Sequence, residues 1–218
     1  MGQKVHPISL RLGIIRTWTS LWYQDRNYAK WLHEDLRIRE LVKSKLYHAG
    51  IAKVEVKRTP NRLDIFIHTS KPGLVIGKKG KGIEVIKKDL EKFLASPINI
   101  DIIEVRKAET NAQLVAENIA TQIERRVSYK RAMKKALTTA MKLGALGCKI
   151  VCSGRLGGSE MARKEKYKEG RIPLHTLRAN IEHGYAISKT TYGAVGVQVW
   201  VFHGEVFTKK RGAKELIA

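Results

Sequence analysis

The sequence predicts an α+β protein of two small domains, and three observations lead to that fold class. From residue 28 to residue 106, segments with helical spacing of apolar residues alternate with short strand-like segments. Two segments of good helix formers then precede a run of strand-like segments that reaches residue 202. A polar connector, residues 107–111, separates the two patterns, and a length of 218 residues suits one large or two small domains.

The first unit has the predicted order helix, strand, strand, helix, glycine loop, helix, strand. A glycine at position 50 stops the leading helix, and a turn at residues 59–62 joins the first two strands as a hairpin. The predicted helices are 28–48, 72–76 and one with an apolar stripe from Ile83 to Leu94, and the predicted strands are 51–57, 63–68 and 98–106.

Residues 1–16 are expected to form an irregular arm that ends in a short strand, because Pro7 and Gly13 interrupt any helix. Large aromatic side chains follow, namely Trp18, Trp22, Tyr23, Tyr28 and Trp31. Such rings could stack on nucleic-acid bases. We favour the alternative, in which they pack at the foot of the leading helix.

The second unit is predicted to be two helices packed on an antiparallel sheet. Its helices are predicted over 114–127 and 132–143, and its strands over 148–153, 164–171, 178–189 and 193–202. The last strand has the clearest alternation, and a basic segment follows residue 207.

The charge of the chain indicates its class of partner. Lysine and arginine number 42 against 20 acids, for a net charge of +22 and a pI near 10.1. Such a surplus repels itself in a compact chain unless a polyanion neutralises it, so nucleic acid is the expected partner. A membrane partner is disfavoured, because the sequence has no long apolar run, no signal-peptide pattern and His6 where a myristoylation motif needs Ser or Thr.

No residue pattern predicts a metal, another cofactor or a catalytic set. Cys148 and Cys152 fall on one strand face, where we expect small buried side chains, and the sequence offers no second pair at zinc spacing. The lack of a disulfide framework fits a reducing cytoplasm. The seven histidines are scattered and no nucleophile motif is present. We therefore expect neither an enzyme nor a small-molecule substrate.

The most informative motif is the loop Gly77-Lys78-Lys79-Gly80, which joins two predicted helices. Glycine lets a backbone approach a phosphate chain closely, and the lysines add charge at the same place. A Gly-x-x-Gly loop of this kind clamps about four nucleotides of a single strand in KH domains. The element order around the loop resembles the type II KH fold. The alternative is a glycine turn exposed to solvent. A P-loop is excluded, because that motif needs four residues between its two glycines and Gly73 and Gly77 enclose only three.

A second group of basic residues lies on one helix face. Lys130 and Lys134 are four residues apart, as are Arg131 and Lys135. Like charges at this spacing destabilise a helix by a few tenths of a kcal/mol, about 0.2–0.5 per pair, and a phosphate backbone along the face would remove that repulsion. Spacing alone does not distinguish an RNA contact from a solvated basic face.

A third group surrounds the glycine-rich turn 153–158. Arg155, Arg163 and Lys164 flank this turn and suit phosphate contact with folded RNA. A flexible hairpin connection is the alternative.

Five motifs in order resemble the family of bacterial small-subunit ribosomal protein three. They are the start Met1–Pro7 with Arg11–Ile14, the loop Val75–Gly80, the turn Ser153–Gly158, the segment Gly170–Arg178 and the segment Thr190–Trp200. The resemblance covers residues 1 to about 207, which leaves only the tail outside it.

The resemblance implies a structural component of the small-subunit head, located on the ribosome in the cytoplasm. It implies binding to small-subunit rRNA and to mRNA at the pore through which mRNA enters, with passive help in unwinding. It also implies small-subunit proteins ten and fourteen as neighbours in the head, and proteins four and five at the pore. Lys130, Arg131 and Lys134 match the mRNA-contacting positions, although some relatives carry arginine at the first, where lysine loses bidentate phosphate contact.

The arm and the carboxy-terminal domain are expected to hold rRNA. The candidate contacts are Gly2, Gln3, Lys4, His6, Arg11, Arg155, Arg163 and Lys164. We predict four segments: an arm with the leading helix (1–38), a type II KH domain with helices on one face of a three-stranded sheet (39–107), an α+β domain (108–207) and a basic flexible tail (208–218).

Two other classes of protein carry KH domains. A nuclease or NTPase would need clustered carboxylates or a complete phosphate loop, and the acids here are few and dispersed. A free regulatory KH protein would sediment alone rather than with ribosomal particles.

Overall fold

The computed structural model describes residues 4–59, 62–77, 80–94 and 97–207, which form the two predicted α+β units. Each unit has one four-stranded sheet. The sheet of the first unit is mixed, and that of the second is antiparallel throughout.

The first unit confirms the predicted element order and adds a short strand. Strand β1 (Ser20–Leu21) pairs parallel with β2 at the sheet edge, in the order β1-β2-β3-β4. The hairpin β2–β3 is antiparallel, and β4 closes the sheet parallel to β3. The remaining elements are α1 (Tyr28–Lys45), β2 (Ile51–Arg58), β3 (Leu63–Thr69), α2 (Pro72–Ile76), α3 (Lys81–Glu91) and β4 (Ile98–Glu104).

Helices α1 and α3 cover one face of this sheet. Each supplies a buried pair four residues apart, Ile38 with Val42 and Ile86 with Leu90. These side chains pack on apolar residues of β2, β3 and β4. The buried residues that α1 gives to this core, Ile38 and Val42, lie in the carboxy-terminal half of the helix, and the boundary predicted at residue 38 falls inside α1.

The amino-terminal arm differs from the prediction. Residues 4–16 contain one turn of 3₁₀ helix at Ser9–Arg11 and an isolated bridge between Leu12 and Arg16, and no strand. The short strand lies further on, at Ser20–Leu21, where the edge of β2 offers free backbone partners. The described part of the arm packs on the second unit, as Arg16 shows by donating to Asn180 Oδ1 at 2.9 Å.

The second unit places two helices on an antiparallel sheet of order β6-β5-β8-β7, as predicted. Asn111 caps the first helix, since its side chain accepts hydrogen bonds from the backbone of Gln113 and Leu114 at 3.1 and 3.3 Å. The elements are α4 (Ala112–Glu124), α5 (Tyr129–Lys142), β5 (Gly147–Gly154), β6 (Arg163–Gly170), β7 (Ala179–Thr190) and β8 (Gly193–Glu205).

One face of this sheet forms the core with α4 and α5. Cys148 and Cys152 are buried in it as free thiols, as the strand spacing predicted. Burial raises the pKa of both thiols to about 12. The two cysteines are therefore packing residues.

The aromatic stretch divides into packed and exposed rings. Trp22 lies 5.4 Å from the rings of both Tyr28 and Trp31, and its Nε1 donates to Asp35 at 2.8 Å. Packing at the foot of α1 is thus confirmed for these three rings. It is wrong for Trp18 and Tyr23, which are 64% and 82% exposed.

Within the described ranges, every helix is too short or too polar to cross a bilayer. The His, Cys, Asp and Glu side chains of the same ranges form no group of three that could hold a metal ion.

Candidate nucleic-acid interface

The glycine pair lies between two helices, as the sequence predicted. Gly77 ends α2 with a φ of +68°, and Gly80 precedes α3 with a φ of +80°. Both values are in the left-handed region that favours glycine. Lys78 and Lys79 lie outside the described residues. One helix ends before them and another begins after them, which is the arrangement expected of a KH loop.

Gly82 is a structural position beside the loop that the sequence reasoning missed. A Cβ built there would lie 2.5 Å from the carbonyl oxygen of Val75 and 3.0 Å from that of Ile76. Glycine therefore allows the first turn of α3 to contact the end of α2, which fixes the geometry of the loop. A sequence signal existed, because glycine inside a helix is unfavourable by about 1 kcal/mol and suggests a packing reason.

Apolar and basic side chains surround this loop. Leu74 and Ile76 of α2 and Val85 of α3 are exposed. Lys71 and Lys81 are exposed nearby in the chain. The mixture offers apolar contacts for bases and charge for phosphates.

The basic rows of α5 are solvent-facing. Lys130, Arg131 and Lys134 are exposed, and none of them forms an ion pair with another described residue. They line a shallow groove of about 710 Å³ that has no acidic residue in its lining, and the groove is completed by Ser128, Lys135, Thr138, Thr139 and Lys142. This surface is suited to an extended polyanion.

The start of α5 adds to this positive field. Ser128, its N-cap residue, makes no side-chain cap bond, and the first turn contains no acid. The amino-terminal N–H groups and the helix dipole therefore act beside Lys130 and Arg131. Arg126, in the turn before α5, has a φ of +62°, the single positive φ among the described non-glycine residues. A local strain of about 1–2 kcal/mol of this kind is often found at functional sites.

The candidate rRNA contacts in the arm have different environments. Gly2 and Gln3 lie outside the described residues, whereas Lys4 and His6 are exposed. The His6 ring lies 4.6 Å from that of His183, on the sheet of the second unit. The arm therefore lies against this sheet.

Arg11 does not fit its predicted role, because its side chain is fully buried. Its guanidinium donates to the carbonyl oxygens of Pro7 at 2.8 Å and of Leu174 and Thr176 at 3.0 Å each. Burial lowers the pKa of the guanidinium. The group joins the arm to residues 173–176, and we leave it out of the proposed RNA surface.

The three basic residues of the glycine-rich turn do not form one patch. Arg155 is half-buried and donates to the carbonyl oxygens of Ser159 at 3.0 Å and Tyr192 at 2.9 Å, which holds the turn together. Arg163 and Lys164 are neighbours in β6, so their side chains point to opposite faces of the sheet.

Comparisons with known proteins agree with both units. A family model described as "KH domain" matches residues 37–110, and one described as "Ribosomal protein S3, C-terminal domain" matches residues 119–201.

Curated relatives match almost the full length. A protein of Myxococcus xanthus (strain DK1622) is 62% identical over 212 residues, which cover 97% of this chain and 96% of that protein. A protein of Anaeromyxobacter dehalogenans (strain 2CP-C) is 60% identical over 214 residues, covering 98% and 96%. A protein of Geobacter sp. (strain M21) is 55% identical over 211 residues, covering 97% and 100%. All three are called small ribosomal subunit protein uS3. Because the identity is high over nearly the whole chain and the two family models match the two units in order, the chain belongs to the uS3 family of small ribosomal subunit proteins.

Proposed function

We propose that this protein holds mRNA on the exposed face of α5 at the pore through which mRNA enters the small subunit, and so assists the passive unwinding of structured message. As a uS3 family member with a KH domain, it is an RNA-binding structural protein of the bacterial ribosome and not an enzyme. The observation that carries the proposal is the acid-free groove lined by Lys130, Arg131 and Lys134.

The chemistry of this surface is electrostatic capture. Base pairs at the foot of an mRNA hairpin open and close spontaneously, and a freed strand exposes its phosphates. Cations without carboxylate partners bind those phosphates with little loss of existing interactions. Capture delays re-pairing, while translocation supplies the pull along the strand.

The rest of the RNA surface is proposed from the same chemistry. The Gly77–Gly80 loop clamps a single strand, with Lys78 and Lys79 near its phosphates. Small-subunit rRNA contacts the arm and the second unit through Gly2, Gln3, Lys4, His6, Arg163 and Lys164, while Arg155 positions the turn beside them. Proteins ten and fourteen in the head, and four and five at the pore, are the proposed neighbours.

The test compares ribosomes that carry the triple variant Lys130→Gln, Arg131→Gln and Lys134→Gln with wild-type ribosomes. Their elongation rates are measured on a message with a stable hairpin and on an unstructured message. We expect several-fold slower passage through the hairpin and little change on the unstructured message. Sedimentation of the variant with small subunits shows that assembly is intact.

A matched control removes the same charge elsewhere. Lys30, Lys57 and Lys107 are exposed, form no ion pair with a described residue and lie outside the proposed surfaces. Their replacement by Gln should leave hairpin passage unchanged. Equal slowing on both messages, or equal slowing by both triple variants, would contradict the proposal.

A further inference from the structure

The sheet of the second unit has one face that α4 and α5 do not cover. The register sets Glu165 opposite Cys152 and Tyr167 opposite Ile150, and both of these partners belong to the helix-covered core. Alternation along β6 therefore directs Lys164, Lys166 and Lys168 to the open face. All three are exposed.

Further basic and aromatic groups continue this row across the sheet. Lys168 is directly opposite Lys149, and Lys149 is opposite Trp200 on β8, with its Nζ 4.7 Å from the ring centroid. Trp200 is opposite His183 on β7, the residue against which His6 of the arm packs. The arm thereby brings Lys4 to the same region, where its charge acts on Lys149.

We name Lys4, Lys149, Lys164, Lys166 and Lys168 the lysine face. No Asp or Glu occupies the open-face positions of residues 149–153, 164–168, 183–187 and 196–200. No member of the lysine face forms an ion pair with another described residue. Burial, together with the charges of the other four lysines, lowers the pKa of Lys149.

Lysines directly opposite one another in an antiparallel pair destabilise the free protein. The repulsion disappears when an anion lies across them, so the arrangement indicates a polyanionic ligand. Lysines at alternate positions of a strand are about 7 Å apart, since a strand advances about 3.3 Å per residue. This spacing is close to that of consecutive phosphates along a nucleic-acid strand.

We propose that the lysine face binds the phosphate backbone of double-helical RNA. The face is formed by the strands of a sheet, and Trp200, the ring that Lys149 contacts, is half-buried, so the face is suited to backbone rather than base recognition. Exposed Tyr185, opposite Gln198 in the next row, adds hydrogen-bonding groups. The inference rests on the proposed function in taking RNA as the partner, and it deepens the rRNA contacts proposed for Lys4 and Lys164; it concerns a different surface from α5.

The first test titrates a fluorescent RNA hairpin of about 16 base pairs with the full-length chain. The triple variant Lys164→Gln, Lys166→Gln and Lys168→Gln should bind at least tenfold more weakly than wild type. Its log–log salt slope should be smaller by about 2 to 3, at roughly 0.9 per lost phosphate contact on a duplex. The control triple variant at Lys30, Lys57 and Lys107 should lose much less affinity, and equal losses in the two variants would overturn the proposal.

The second test identifies the partner in intact small subunits by lysine acetylation and mass spectrometry. The lysine face should be protected in the subunit and should become reactive after ribonuclease treatment. Protection that survives ribonuclease would assign the face to a protein partner and overturn the proposal, as would full reactivity in the intact subunit.

The two proposals fail independently. Variants of α5 should retain hairpin-RNA affinity through the lysine face, and variants of the lysine face should retain normal passage through mRNA hairpins. If the α5 variant alone fails to slow passage through hairpins, the mRNA role is refuted. If the lysine-face variant alone fails to weaken binding of the RNA hairpin, this inference is refuted.

Discussion

At Gly80 the backbone is left-handed, but a Cβ there would meet no atom within 4 Å. This position can therefore take a side chain without a steric clash, unlike Gly77, where a Cβ would lie 3.1 Å from the Gly82 nitrogen. Asn and Asp both tolerate the left-handed region and have nearly the same shape. Substitution at Gly80 thus isolates the effect of charge at the clamp.

We expect Gly80→Asp to weaken binding to an oligouridine about tenfold, or about 1.4 kcal/mol, because it adds a negative charge beside the phosphates. Gly80→Asn should keep most of the affinity. Filter-binding titrations measure both, with circular dichroism as the check on folding. Equal affinities for the two variants would argue against a phosphate clamp at this loop.

Arg11 and Arg163 are both arginines but have different environments, because Arg11 is buried and Arg163 is exposed. Removal of its guanidinium by Arg11→Ala leaves the carbonyl groups of Leu174 and Thr176 without this donor. We expect the free energy of unfolding to fall by about 3 kcal/mol, measured by urea denaturation. Arg163→Ala, on an exposed side chain, should change it by less than about 0.5 kcal/mol. Unchanged stability in Arg11→Ala would show that the buried contacts are not structural.

His183, on which His6 of the arm packs, is expected to make the stability of the protein sensitive to acid. Burial, together with the charge of His6, lowers the pKa of His183 from 6.5 to about 4. The unfolded chain therefore binds a proton more readily than the folded one between these values. The contribution of this residue is complete above pH 6.5 and is lost as the pH falls towards 4.

We accordingly expect the thermal midpoint to fall less steeply over that pH range in His183→Gln than in wild type. Thermal unfolding followed by circular dichroism at several pH values gives the comparison. Parallel curves for the two proteins would mean that His183 titrates normally.

The helix α5 illustrates a conflict between stability and function within one element. Lys130 and Arg131 lie in its first turn, next to the positive end of the helix dipole, and the N-cap makes no side-chain bond. Each cation there is unfavourable by about 0.3–1 kcal/mol. We propose that RNA bound along this face offsets the cost.

Replacing Lys130 and Arg131 by Gln should therefore raise the thermal midpoint of the free protein while weakening its RNA binding. For the thermal midpoint, Lys142→Gln is the matched control, because Lys142 lies in the last turn, where a cation is favourable. That change should lower the midpoint slightly. A lower midpoint in the double variant would show that the two cations stabilise the helix.

Among the elements, local pattern predicted the boundaries of the longer helices and strands to within about three residues. The helix α2 begins and ends at the predicted residues, since Pro72 and Gly77 are strong local signals. The start of α4 was predicted two residues late because the cap made by Asn111 was not recognised. The strand β1 has two residues and exists through pairing with β2, which is a non-local interaction.

At the scale of the molecule, we expect the charge of +22 to set how strongly RNA affinity depends on salt. We expect the logarithm of the affinity for single-stranded RNA to fall linearly with the logarithm of salt, at about −0.7 per phosphate contact. Titrations over a salt series provide the slope. An affinity independent of salt would contradict electrostatic binding.

The arm connects the two units. Its described residues pack on the second unit through Arg11 and Arg16, and Ser20–Leu21 then pair with the sheet of the first. The ion pair between Lys43 and Glu117, 2.9 Å long, adds a contact between α1 and α4.

The fold class, the order of elements, the position of the glycine pair between two helices and the ribosomal family could all be predicted from the sequence, because apolar period, turn residues and ordered motifs are local properties. The packing of segments decides the rest: Arg11 is buried while Lys4 is exposed, and Lys4 and Lys149 join the three lysines of β6 in one surface. The physical reason is that burial and strand register depend on which segments pack together, and nothing in the spacing of a single segment specifies its partner.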